Sequence, residues 1–335
     1  DWLNGERTGE GTYTWANGDI FTGTFVNGVP SGGLSPGKIP YFVGTATVEK
    51  LITGDIHIDA LLPDSAKAWA SNQNYDNSNS TTITYSFVKT SDFFEDGYSE
   101  PSPEVDPIFA FSENQQAAAK LALEQWSNIA NITFVEVAET ETEVGTLRFG
   151  LTEVFKDDYG TGESAWGWAA LPDTALAMGG DIWVGSQVAD GTFRPGKDFN
   201  FAGMMHEIGH ALGLDHPFEG TNQLSTAQNY KNYTIMSYTD PDGTFFDYGD
   251  KRDDDYLISS TPMVYDIAAI QHLYGAASHN DGNTTYSYDP AQPFVEAIWD
   301  SGGYDTLDLS NFIKACTINL TSGDYSTIVC TDWSM

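Results

Sequence analysis

The chain has 335 residues, 40% hydrophobic and 13% aromatic, enough to bury at least one large core and to form two domains. Its formal charge of −34 argues against nucleic acid and anionic membrane as partners, because both would repel it. The same charge suits solubility and hard cations such as calcium.

No run reaches the roughly 20 apolar residues that span a bilayer. The opening DWLNGERTGEG also lacks the charged and apolar regions of a secretory signal peptide. Within the first stretch Trp2-Leu3-Asn4-Gly5 returns as Phe25-Val26-Asn27-Gly28. Glycines between alternating aromatics, with Asn17-Gly18 and Asn27-Gly28 as turns, predict short β-hairpins. The stretch GEGTYTWANGDIFTGTFVNG resembles a MORN repeat, and a Gly-rich linker follows it at 32–37.

Beyond the linker, the segment 48–69 reads as partly helical and TTITYSFV as a strand. Ser112 and Gln115 form a predicted capping box for a helix running to about Ile129, with Ala117, Leu121, Trp126 and Ile129 as its apolar face. Strands are expected at ITFVEV, TLRFGL, SAWGWAAL and DIWVG. A helix from about Phe199 to Leu212 comes next, and another from Val264 to Tyr274 is stopped by Gly275. From Asn280 onward the text turns to short strands and Gly/Asp turns. The order implies an α+β domain followed by an all-β one.

Chemistry concentrates in HEIGHALGLDH, which holds three of the six histidines. His206 and His210, four apart, share one helix face. Gly213 permits a sharp exit, and His216 can return to the same point. Three neutral imidazoles around one open position is how a catalytic zinc is held. Glu207 lies beside it, placed as general base for a water that zinc acidifies. Downstream, Thr234-Ile235-Met236-Ser237-Tyr238 supplies a methionine turn.

Together HEIGHALGLDHP, IMSY, QAAAKLALEQWSNIANITFVEV and DIAAIQHLYGA resemble the serralysin family of bacterial metzincin zinc proteases. The resemblance implies a twisted mixed sheet with long helices, and a secreted, monomeric endopeptidase acting on protein or peptide substrates. It implies His206, His210 and His216 as zinc ligands, joined at times by Tyr238, which also serves the oxyanion, with Glu207 and Tyr238 as the catalytic pair. Met236 and Gly213 would be structural. An edge strand at Trp166 to Leu171 would bind substrate through Trp166, Trp168, Ala169 and Ala170.

The motif WDSGGYDTLD resembles the WDxGGxDT of serralysins, and the resemblance implies calcium held by Asp300, Asp305 and the Gly302 carbonyl, with Asn280, Gly282 and Thr284 from an upstream loop and Gly303 sharing in a second ion. Asn280 departs from the family's usual arginine. No nonapeptide array follows, so the β domain is expected to be cut short. The expected division is a repeat and linker over 1–35, a protease domain over 36–275 and the start of a calcium-binding β domain over 276–335. Cys316 and Cys330 are expected to bridge a short loop, with buried free thiols as the alternative. A rival function is a silent binding protein that retains the zinc site. An intact Glu207 argues against it.

Overall fold

The computed structural model describes residues 47–70, 80–89, 94, 98, 107–140, 144–153, 166–174, 176, 178–186, 192–241 and 257–330, together with the backbone of five short N-terminal strands and of Ala46. Those strands are β1 (Trp2–Leu3), β2 (Glu6–Arg7), β3 (Gly9–Thr14), β4 (Ile20–Val26) and β5 (Val29–Ser31). β1 pairs antiparallel with β2, and β3, β4 and β5 form an antiparallel meander. The turns expected at Asn17-Gly18 and Asn27-Gly28, and the linker at 32–37, lie outside the described residues.

The segment expected to be partly helical is mostly not so. It carries β6 (Ala46–Glu49), a single helical turn α1 (Ile56–Asp59) and β7 (Lys67–Ala70), with β6 and β7 paired antiparallel. The main sheet follows: β8 (Thr81–Phe87), β9 (Ile108–Phe109), β10 (Ile132–Glu136), β11 (Leu147–Thr152), β12 (Gly167–Ala169) and β13 (Ile182–Gly185). Its order is β10-β8-β11-β13-β12, with β9 paired to β11. β8, β10, β11 and β13 run parallel, whereas β12 is antiparallel to β13 at the edge.

Three helices complete the domain: α2 (Glu113–Ile129), α3 (Phe199–Ala211) and α4 (Val264–Tyr274). Ser112 and Gln115 cap α2 reciprocally, as the sequence predicts. Its buried face is Ala118, Ala119, Ala122, Leu123, Trp126 and Ile129, whereas Ala117 is exposed and Leu121 half-buried. That face meets α3, where the Trp126 indole donates to the Met205 carbonyl at 3.1 Å.

Strand alternation divides the core between the two sheet faces. β13 sends Ile182 and Val184 into the large cluster that includes Trp69, Trp126, Phe149, Met204 and Met205. It sends Trp183 into a smaller one with Val88, Phe94, Tyr98 and Trp168. After α4, β14 (Thr285–Ser287) and β15 (Thr306–Asp308) pair in parallel. The architecture is α+β, and no helix among the described residues is long and apolar enough to cross a membrane.

Cys316 and Cys330 are free, correcting the expectation of a bridge. Each thiol faces a different carbonyl, Cys316 that of Lys314 at 3.6 Å and Cys330 that of Gln292 at 3.7 Å.

Candidate metal centre

Helix α3 ends in a turn that builds half the site. The Leu214 N–H bonds the Gly209 carbonyl at 2.9 Å and the Gly213 N–H bonds that of His210 at 2.9 Å, the two bonds of a Schellman motif. Gly213 takes φ +109, and a Cβ there would lie 2.5 Å from the Lys67 carbonyl oxygen. The turn presents the Leu214 carbonyl to His210, whose Nδ1–H donates to it at 2.8 Å. His206 donates from Nδ1 to the Ile235 carbonyl, also at 2.8 Å. His216 Nδ1 lies 3.2 Å from Glu219 Oε1.

With two Nδ1 protons committed outward, the Nε2 atoms of His206 and His210 are bare, yet only 3.1 Å apart. His216 Nε2 lies 3.0 Å from His210 Nε2 and 3.3 Å from His206 Nε2. Lone pairs so close repel unless a cation sits among them. Tetrahedral zinc with bonds of about 2.0–2.1 Å needs nitrogens about 3.3 Å apart, so the donor set fits it. Burial and the neighbouring imidazoles hold His206 well below the usual histidine range, and burial with His210 lowers His216 to about 3. Both are therefore neutral, as metal ligands must be.

Met236 is fully buried beneath the helix, its sulfur 2.7 Å from where a Cβ on Gly209 would sit. Gly209 thus lets the methionine turn approach the backbone between the two helical histidines. The turn is anchored by Asp266 of α4, which accepts from Thr234 Oγ1 at 2.6 Å and from the backbone N–H of Ile235 at 2.8 Å and Met263 at 2.7 Å. Burial pushes the Asp266 carboxyl up to about 6 against those bonds. Sequence reasoning gave Asp266 no role. Its signal, a carboxylate in the first turn of an apolar helix, was open to reading as a capping residue.

Tyr238 Oη lies 2.8 Å from His216 Nε2. Glu207 is buried, and β12 runs beside it, because a Cβ on Gly167 would be 3.5 Å from Glu207 Oε1. That Cβ would also stand 2.8 Å from the Trp183 carbonyl oxygen, so glycine is needed there.

The pairing of the edge strand β12 with β13 sets which of its groups face outward. Gly185 N–H bonds the Trp166 carbonyl and Ala170 N–H bonds the Asp181 carbonyl, both at 2.9 Å, while the Ala170 carbonyl accepts from Gly180 at 3.1 Å. By antiparallel alternation, 166, 168 and 170 face β13, and Gly167 and Ala169 turn their backbone groups to the open edge. Trp166 docks on α3 through its indole, which donates to Asn200 at 2.8 Å. The Trp168 side chain is buried on the far face of the sheet. Of the four residues expected to bind substrate, only Ala169 turns its backbone groups to the open edge, as Gly167 does.

The loops expected to hold calcium come together. A Cβ on Gly303 would lie 2.3 Å from the Gly282 carbonyl oxygen. The Thr284 N–H donates to Asp305 at 3.0 Å, and Asp300 accepts from Tyr286 Oη at 2.7 Å and from Gly302 N–H at 3.0 Å. These bonds hold Asp300 below the usual carboxylate range. Asn280 takes φ +51, which an asparagine tolerates.

Comparison with known proteins agrees with this architecture. Residues 202–286 match a Met-zincin family, 264–331 the C-terminal region of M10 serralysins, and 1–20 a MORN repeat. The chain is similar to serralysins and to metallopeptidases named AprA. It is 32% identical over 289 residues to the metallopeptidase AprA of Pseudomonas marginalis, covering 77% of this chain and 56% of that protein. Serralysin B of Dickeya chrysanthemi is 30% identical, with 73% and 52% covered, and a serralysin of a Photorhabdus strain is 29% identical, with 88% and 60% covered. The chain spans a little over half the length of these curated relatives.

Proposed function

We propose that this serralysin-like chain is a secreted zinc endopeptidase that cleaves proteins and is stabilised by calcium. The observation that carries the reading is the close triangle of Nε2 atoms from His206, His210 and His216, with Glu207, the chain neighbour of His206, also buried. Zinc, when bound, polarises the scissile carbonyl and lowers the pKa of a water.

The chain's own groups do the rest. Gly167 and Ala169 pair an extended substrate by their outward N–H and C=O groups, a β-augmentation that fixes the scissile bond beside Glu207. Glu207 Oε1 takes a proton from the attacking water and passes it to the leaving amine. Tyr238 Oη donates to the oxyanion, charge that exists only on the way to product. Asp300, Asp305 and the carbonyls of Asn280, Gly282 and Gly302, with Thr284 and Gly303, form the calcium loops of the β domain.

The test is hydrolysis of casein by the wild type and by Glu207→Gln, with zinc content measured in both. Cleavage by the wild type and loss of at least a thousandfold in a variant still holding one zinc supports the reading. Zinc in both proteins with cleavage by neither favours a binding protein, and zinc in neither overturns the site.

A further inference from the structure

We propose that Phe218 is a positioning residue for Tyr238, the wall that keeps the phenol at the metal centre. The inference rests on the reading of Tyr238 as the phenol that serves the metal. Phe218 follows His216 by two residues, in a turn closed by the Glu219 N–H on the His216 carbonyl at 3.1 Å. A second bond, Leu224 N–H to the Pro217 carbonyl at 2.8 Å, pins the chain on the other side. The ring therefore projects from a fixed stretch of backbone.

Four aromatic rings meet there, three of them around Tyr238. Phe218 stacks on His216 with centroids 5.1 Å apart and planes 5° from parallel. Tyr238 lies 4.6 Å from His216 and 5.2 Å from Phe218. His206 stacks on the same tyrosine at 5.5 Å. Two of the rings around Tyr238 are thus metal-ligand imidazoles, held by their own Nδ1 contacts. The third, Phe218, is no ligand and has no polar chemistry to offer.

Tyr238 is 40% exposed, so it can swing outward without unpacking the core. Offset and tilted aromatic contacts of this kind shift a two-position equilibrium by about twofold to tenfold. Phe218 spends that preference on the inward position, where Tyr238 Oη sits 2.8 Å from His216 Nε2. A side chain without a ring at 218 leaves His216 and Glu207 in place and releases the phenol.

The experiment uses the full chain with copper(II) in place of zinc, one ion per chain, because a phenolate oxygen on copper(II) gives a visible charge-transfer band at lower energy than the ultraviolet bands of imidazole. Wild type is expected to show the band and Tyr238→Phe to lack it. Phe218→Leu is expected to lower the ratio of inward to outward phenol, read from the band per bound copper, about twofold to tenfold, while Phe218→Trp retains it. Phe218→Met, close in volume, serves if the leucine variant does not fold, and the same loss is expected. An unchanged band in a folded, copper-loaded leucine or methionine variant overturns the proposal, as does an equal loss in Phe218→Trp. No band in the wild type sinks the reading of Tyr238 itself, and this proposal with it.

Discussion

His206 and Asp266 both hydrogen-bond the backbone of Ile235: the histidine Nδ1–H meets its carbonyl at 2.8 Å, and the carboxylate receives its N–H at 2.8 Å. The residue between them belongs to the methionine turn, so a carboxylate on α4 sets the rotation of an imidazole on α3. Orientation of a metal-binding histidine by the partner of its second nitrogen is a general device, and here the partner is itself held by a buried acid.

Replacing Asp266 should therefore weaken the metal centre without touching a ligand. Asp266→Ala orphans three buried donors, at about 1–3 kcal/mol each, and is expected to lower stability severely. Asp266→Asn keeps the shape but sets amide hydrogens against donors. In a folded Asn variant, zinc affinity is expected to fall about tenfold to a hundredfold. Competition with a chelator of known affinity measures it; unchanged affinity would show that the turn holds Ile235 unaided.

Gly167→Ala should separate the substrate edge from the metal. The added methyl meets the Trp183 carbonyl oxygen at 2.8 Å, so β12 must shift by a few tenths of an ångström. Overpacking of that size costs about 1–3 kcal/mol. Peptide hydrolysis is expected to drop more than tenfold in kcat/KM while zinc stays at one per chain. Full activity would mean that substrate does not use this edge.

The parts of the site that were legible in the sequence are those written locally. His206, Glu207, His210, Gly213 and His216 lie within eleven residues, where helix geometry and one glycine turn suffice to bring them together. The capping box of α2 and the extent of α4 were local too. What failed depends on distant contacts. The buried face of α2 is set by where α3 lies; periodicity placed Trp126 and Ile129 on it, but put Ala117 there in place of its neighbour Ala118. Trp168 was expected on a substrate-binding edge strand, and only its register opposite Trp183 shows that its side chain packs on the far face. Asp266 acts on a turn some thirty residues earlier in the chain, and Gly167 matters only because Glu207 and Trp183 converge on it.

Calcium should be visible as stability. A ligand that binds only the folded chain adds about 2.7 kcal/mol at a concentration a hundred times its Kd. Thermal unfolding of the wild type is expected to move upward with calcium and back with chelator. Asp305→Ala, which removes the acceptor of the Thr284 N–H along with a carboxylate, should lose most of that response. An equal response in the variant would place the ion elsewhere.

Asp181 makes a pH prediction at a distance from the metal. It is fully buried, with Tyr98 Oη donating to it, Trp183 Nε1 donating to that same hydroxyl at 3.1 Å, and Arg148 nearby paired with Glu139 at 2.8 Å. Burial raises its carboxyl to about 7, the Arg148 charge and the Tyr98 bond pulling the other way. The unfolded value is 3.8, so between 3.8 and about 7 the folded chain holds a proton that the unfolded chain has released. Stability from this group is accordingly greatest below 3.8, falls as pH rises through that window and levels off above it. Asp181→Asn cannot titrate but keeps an acceptor for Tyr98. Its stability relative to wild type should improve steadily from pH 4 to 7, by on the order of a few kcal/mol, and then stay constant. Urea unfolding of both proteins at fixed zinc and calcium measures the difference, in which every other titrating group cancels. Parallel curves across the window would mean that Arg148 keeps Asp181 ionised throughout.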